Sequence, residues 1–171
     1  MNHDLEISAR GRLTLDAAAV GCFAQVMSNT ENQPVLDRHG LEVLSTDQCW
    51  ELLRKSPIGR VAFVHDGEPV ILPVGFVVAE HHLAFRSARG AKLGAATMNR
   101  PVAFEVDGWS LETGVGWSVL VEGTASLILD AEEEAELEHL PLTKWTPQSL
   151  ETEWVRILPN DISGRRTTIR E

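Results

Sequence analysis

The sequence predicts a mostly β fold of α+β type, a small antiparallel barrel with short helices at its ends. Three observations carry this. Runs rich in β-branched and aromatic residues recur at short spacing between residues 59 and 129. The turns joining the first three runs, Asp66-Gly67 and Ala79–His82, are too short for the crossovers that parallel strands need. Helical stretches are few and brief, and no segment repeats with a solenoid period.

The elements follow in order. Residues 1–40 read as an extension: a polar start, one short helix over Asp16–Met27, and a linker-like stretch Ser28–Gly40. The folded domain is expected over 41–171. Ser45 or Thr46 caps a helix whose apolar face is Trp50, Leu52 and Leu53, and Ser56-Pro57 ends it. Gly59–His65 is a strand, Asp66-Gly67 a hairpin turn, and Glu68–Val78 the returning strand. Pro69 and Pro73 confine that strand to an edge or an irregular ladder. Leu83–Arg86 is a third strand, Ala91–Met98 a short helix and Pro101–Val106 a fourth strand. After a Gly-rich stretch, Asp107–Gly116, comes a long strand, Trp117–Leu129. Asp130 caps an acidic helix to Leu140, Lys144–Glu151 is a loop, Trp154–Leu158 a last strand, and Ile162–Glu171 a basic tail.

The formal charge of −10 argues against nucleic acid as a partner. Residues 54–100 nevertheless hold seven Lys/Arg against three acids, a local +4 in a chain whose remainder carries −14. A basic island in an acidic protein fits a small anionic ligand better than a polyanion. Cys22 and Cys49 form no metal-binding pattern and read as idle thiols of a reducing cytoplasm. No apolar run reaches the roughly 18 residues a membrane helix needs, and no cleavage pattern follows Leu15–Met27.

The richest chemistry lies in Phe85-Arg86-Ser87-Ala88-Arg89-Gly90-Ala91-Lys92, where a strand hands over to a helix start. Unpaired N–H groups and the helix dipole favour an anion there. Arg86 offers a bidentate fork and Lys92 a point charge. Ser87 is either a cap or a phosphate contact, and Gly90 either allows close backbone approach or makes the turn. Arg89 is the weaker candidate. Pro73 and Val74 break a regular strand, leaving backbone groups for a ligand or forming a bulge at a barrel rim. Trp117 packs a ring system or fills the core, and Arg165 is a tail cation or a ligand contact. His81-His82 and His65 read as turn residues, and Glu132–Glu134 as a solvated face. No nucleophile, zinc, P-loop or Rossmann motif is present.

The order of these pieces resembles the FMN-binding split β-barrel family of pyridoxamine 5′-phosphate oxidase-like proteins, in its nitroimidazole-resistance-type and actinobacterial branch. The matching segments are Ser56–Ala62, Ile71–Val74, Phe85–Lys92, Pro101–Val106, Gly116–Gly123, Val155–Pro159 and Ser163–Arg166. The resemblance implies a homodimer with FMN at the subunit interface. Leu72, Pro73 and Val74 would line the isoalloxazine edge through their backbone. Phe85, Arg86, Ser87, Gly90 and Lys92 would hold the ribityl phosphate. Trp117 and Ser118 would approach from the second subunit, and Arg165 would lie near the ring. The chain departs from the oxidase at Ser118, where that enzyme has a glutamine-like residue, and its substrate-phosphate residues are not recognisable. The expectation is therefore a flavoprotein oxidoreductase with a nicotinamide-type donor and a small planar acceptor, not pyridoxamine phosphate oxidation. A flavin-binding module without turnover, or the same barrel holding the deazaflavin coenzyme or haem, is the alternative.

Overall fold

The computed structural model describes residues 34–88, 99–143 and 151–167, all but Pro34 within the compact unit Val35–Glu171. Seven strands and two helices make up the described part: β1 (Glu42–Val43), α1 (Thr46–Lys55), β2 (Ile58–His65), β3 (Glu68–Ala79), β4 (His82–Ala88), β5 (Arg100–Trp109), β6 (Gly116–Leu127), α2 (Ala131–Glu138) and β7 (Thr152–Arg166). The sheet order is β1-β7-β4-β3-β2-β5-β6, every pairing is antiparallel, and β6 also pairs with β7. That last pairing closes a six-stranded barrel, with β1 attached outside it along β7.

Local chemistry accounts for the element ends. Ser45 accepts from the N–H of Gln48 while the Gln48 side chain accepts from the N–H of Ser45, a reciprocal capping box. Asp66 and Gly67 both have positive φ, 52° and 84°, as a tight two-residue hairpin requires. Asp130 caps α2 by accepting from the N–H groups of Glu132 and Glu133.

Even-numbered residues of β3 and odd-numbered ones of β2 and β6 point inward. They build the main core around Val61, Phe63, Phe76, Leu83, Phe85, Phe104, Val119 and Val121. Phe76 and Phe104 meet edge to face at 4.8 Å. Gly59 carries no Cβ because one would lie 2.2 Å from the Phe104 ring. Cys49 is fully buried, and burial pushes its thiol pKa up, so it behaves as a small hydrophobe. A satellite core of Val77, Ala84, Ile128, Leu137 and Trp154 sits on the outer face of β3, β4 and β7, roofed by α2.

Several expected boundaries need correction. The last strand does not stop at Leu158 but runs to Arg166, so Ile162–Arg166 is no free tail. Pairing with β6 from Leu127 to Trp117 carries it through Pro159, with a register shift at Glu122/Gly123 absorbing the irregularity. The stretch Asp107–Gly116 is mostly hairpin: β5 continues to Trp109 and β6 begins at Gly116. β4 extends from His82 to Ala88, lengthened by pairing with β7. Residues 36–43 fold back on themselves, with Leu36 bridging Glu42. The expected helices Asp16–Met27 and Ala91–Met98 and the loop 144–151, save Glu151, lie outside the described residues. No described helix is long and apolar enough to cross a membrane.

Candidate functional site

The barrel is thinly paired beside the expected site. β3 pairs with β2 along Glu68–Gly75, but with β4 only from Phe76 to Ala79. Beyond Phe76 and Phe85 the two strands part, and β4 continues against β7 alone to Ala88. Among the described residues, the β3 edge from Glu68 to Gly75 therefore has no strand beside it on the β4 side. Pro69 and Pro73 both lie on this open half, the place in a sheet where a missing N–H is tolerated. Such an edge displays free backbone N–H and C=O groups to any planar ligand with a matching donor–acceptor edge.

The expected site residues distribute around this opening. Pro73 is exposed on the outer face; Leu72, of inner parity, remains 37% exposed at the parting; Val74 is buried. Phe85 is fully buried and belongs to the core, so only its backbone is available. Ser87 is 4% exposed, the one buried polar residue among those described, at the end of β4 next to the parting. Gly90 and Lys92, with Arg89, lie outside the described residues. A cavity of about 320 Å³ lies between the C-terminal turn of α1, Phe76–Val78 and residues 140–143. There the Thr143 carbonyl oxygen crosses β3 so closely that a Cβ on Gly75 would stand 1.8 Å from it.

Arg86 has other partners. Its side chain lies on the opposite face of β4 from Ser87 and beneath α2. It pairs with Glu138, donates to Thr152 Oγ1 at 2.7 Å and stacks over the Trp154 ring at 4.8 Å. Trp154 Nε1 also donates to Glu138. A second clamp on α2 joins Arg156 to both carboxylate oxygens of Glu133. His82 lies 3.6 Å from Glu133, with its Nε2 buried and unpartnered. Burial pushes the His82 pKa down; Glu133 opposes that shift and Arg156 adds to it.

Of the remaining candidates, Trp117 and Ser118 sit on β6, three strands from β3, and Arg165 near the far end of β7, beside them. Trp117 points inward, packs on the main core and lies flat against Gly108, so it fills the barrel end. Ser118 is exposed on the outer face, paired across β7 with Arg165 and across β5 with Asp107. Arg165 Nε donates to Asp37 at 3.1 Å. The Asp37 carboxyl is held below its usual pKa chiefly by the Leu41 N–H, with His39 N–H and Arg165 adding to it.

Sequence reasoning missed two features of that outer face. Arg60, opposite Pro73, donates to Asp107 at 2.6 Å and Glu105 at 3.1 Å. Trp109 is 62% exposed and faces Gly116 across the hairpin. A signal existed: Gly-Trp occurs at 108–109 and again at 116–117, so an antiparallel hairpin sets each indole against the other's glycine. Among the described residues no cluster of His, Cys, Asp and Glu is arranged to hold a metal.

The family described as pyridoxamine 5′-phosphate oxidase matches residues 45–166, from the capping box of α1 to the last residue of β7. The chain belongs to the pyridoxamine 5′-phosphate oxidase-like family. A family relative, an uncharacterised protein of Mycobacterium tuberculosis, is 31% identical over 128 residues, 72% of this chain and 83% of that one. Among solved structures, the FAD binding protein from Mycobacterium smegmatis is 39% identical with a TM-score of 0.65, covering 74% of this chain and 99% of its own. A FAD-binding protein from Mesorhizobium loti is 25% identical with a TM-score of 0.65, covering 75% and 98%.

Proposed function

We propose that this family member is a flavin-dependent oxidoreductase, with FMN as its cofactor, a nicotinamide-type donor and a small planar acceptor. The observation that carries the reading is the open β3 edge at Leu72–Val74, beside buried Ser87 and the basic segment that follows. The residues fit the group. A flavin pyrimidine ring has an alternating edge of carbonyl oxygens and N–H, which free strand groups match without any side chain. Ser87 and the cationic segment through Gly90 and Lys92 suit the terminal phosphate. FAD, named in two relatives, shares that ring and its first phosphate, so the same groups serve either nucleotide.

When bound, the flavin supplies the electron transfer, so the protein needs neither nucleophile nor metal of its own. This chain's residues bind and orient. Along Leu72–Val74 the ring meets the Pro73 carbonyl, the backbone group that strand alternation turns away from β2; Val74 and Phe85 close its inner side, and Lys92 neutralises the phosphate. Arg86 holds α2 to the barrel.

Ser118 lies three strands from β3, at roughly 4.8 Å per strand, and Arg165 ten residues along β7 from Val155, the partner of Phe85, at roughly 3.3 Å per residue, so neither reaches the same ring within one chain. A second copy supplies them in a homodimer. The outer face supports this: Ala62, Val64, Pro69, Ile71, Pro101 and Ala103 line a groove of about 640 Å³. Val64 and Ile71 there are 58% and 65% exposed, neighbouring apolar side chains that a second copy would cover.

Titration with FMN, FAD and riboflavin, read by flavin fluorescence, tests the reading. Wild-type protein is expected to prefer the phosphorylated forms. Lys92→Ala should weaken FMN by about tenfold or more, the worth of a charge-assisted hydrogen bond, and leave riboflavin little changed. Equal losses for both ligands refute the phosphate assignment, and no binding of any flavin refutes the function.

A further inference from the structure

We infer that Trp109 is a stacking platform, presented by the β5–β6 hairpin of one copy to the planar ring bound at the β3 edge of the other. The inference rests on the flavin reading above and adds a residue to it. It starts from a mismatch between chemistry and exposure. A tryptophan 62% exposed leaves a large apolar ring in water, while its strand neighbour Val106 is fully buried. Nothing in barrel packing calls for an indole at that position.

The ring is nonetheless rigidly mounted. Trp109 and Gly116 are register partners, and a Cβ on Gly116 would stand 2.4 Å from the indole carbons, so the ring lies flat on bare backbone. Behind it the hairpin is fastened. Ser110 N–H donates to Val115 O at 2.9 Å, and Gly114 N–H to Ser110 O at 2.9 Å. Gly116 and Thr167 bond reciprocally, through Gly116 N–H to Thr167 Oγ1 and Thr167 N–H to Gly116 O, both at 2.8 Å. A fixed aromatic ring loses little entropy when it meets a ligand, which is what makes tryptophan a strong contact residue.

Its surroundings specify the ligand. Strand alternation puts Trp109 on the outer face with Asp107, Ser118 and Arg165, the residues that the proposed homodimer presents to the neighbouring copy's ring. Two guanidiniums share that face, Arg60 tethered by Glu105 and Asp107, and Arg165 tethered by Asp37. With three carboxylates against two guanidiniums that face carries no net positive charge, so it selects a planar aromatic such as the flavin ring by stacking on the indole rather than by charge. Leu111, 94% exposed at the hairpin tip, extends the apolar reach beyond the indole.

The test compares wild type, Trp109→Phe, Trp109→Ala and Gly116→Ala, titrated with riboflavin and with FMN at protein concentrations where sedimentation shows each to be dimeric. Trp109→Ala should weaken both ligands by the same factor, about tenfold, as loss of one stacking partner does. Trp109→Phe should hold affinity within about threefold yet give brighter bound flavin, because the quenching indole is gone. Gly116→Ala, which keeps the indole but pushes it off its mount, should weaken both ligands as Trp109→Ala does. Wild-type affinity in Trp109→Ala, with wild type itself binding flavin, overturns the inference alone. Failure of wild type to bind either flavin overturns the inference together with the reading beneath it.

Discussion

Replacing Arg86 by alanine should cost stability rather than phosphate affinity. Three contacts vanish together. The hydrogen bond to Thr152 is worth about 1 kcal/mol. Stacking on Trp154 at 4.8 Å adds about 1 kcal/mol. The pair with Glu138, its arginine a third and its carboxylate half in water, adds about 0.5 kcal/mol. A total of roughly 2–3 kcal/mol lowers the melting temperature of a domain this size by about 6–10 °C. Thermal unfolding by circular dichroism reads the loss, and parallel titrations give the ratio of FMN to riboflavin affinity. That ratio should stay as in wild type, because Arg86 faces α2 while Ser87 faces the opening. An unchanged melting temperature with a tenfold drop in FMN affinity alone would show that Arg86 leaves Glu138 for the phosphate, and the assignment of Arg86 to the roof would be refuted.

Two further perturbations probe the scaffold. His82 has a folded pKa below its unfolded value, because burial disfavours the charged ring. The unfolded chain therefore binds more protons in that window, and stability must fall as pH drops below about 6.5. Melts from pH 7.5 to 5 should show this slope flattened in His82→Gln, and an unaltered slope would assign it to other groups. Gly59→Ala forces a Cβ into the Phe104 ring and should destabilise by about 1–3 kcal/mol through overpacking. Gly59→Ala paired with Phe104→Leu should recover part of that loss in denaturant unfolding, whereas additive losses would place the clash elsewhere.

Much of the fold could be read from local chemistry. Asp66-Gly67, the Ser45–Gln48 box and Asp130 each commit the chain through contacts within four residues, and the structure shows all three. What escaped was set by partners far along the chain. The sequence ends the last strand at Leu158, yet β7 continues through Pro159 and Gly164 because β6 offers it a ladder more than thirty residues away in sequence. Asp107–Gly116 reads as loop by its glycines, yet those glycines are where cross-strand indoles lie flat. The candidate site divides along the same line. Prolines marked the open β3 edge, since a missing N–H is a local property. The engagement of Arg86 with Glu138 joins β4 to a helix elsewhere in the chain, and no sequence pattern links them. Strand alternation likewise separates Trp117 from Ser118, adjacent in sequence and on opposite faces of the barrel.

The central claim is that a flavin ring docks along the free edge of β3. Amide hydrogen exchange with and without saturating FMN measures this directly. Slowed exchange at Ile71, whose N–H lies on the side of β3 that β4 leaves uncovered, and at its neighbours Val70, Leu72 and Val74 is the expected result; β3 amides exchanging at the same rate with FMN bound would contradict the account.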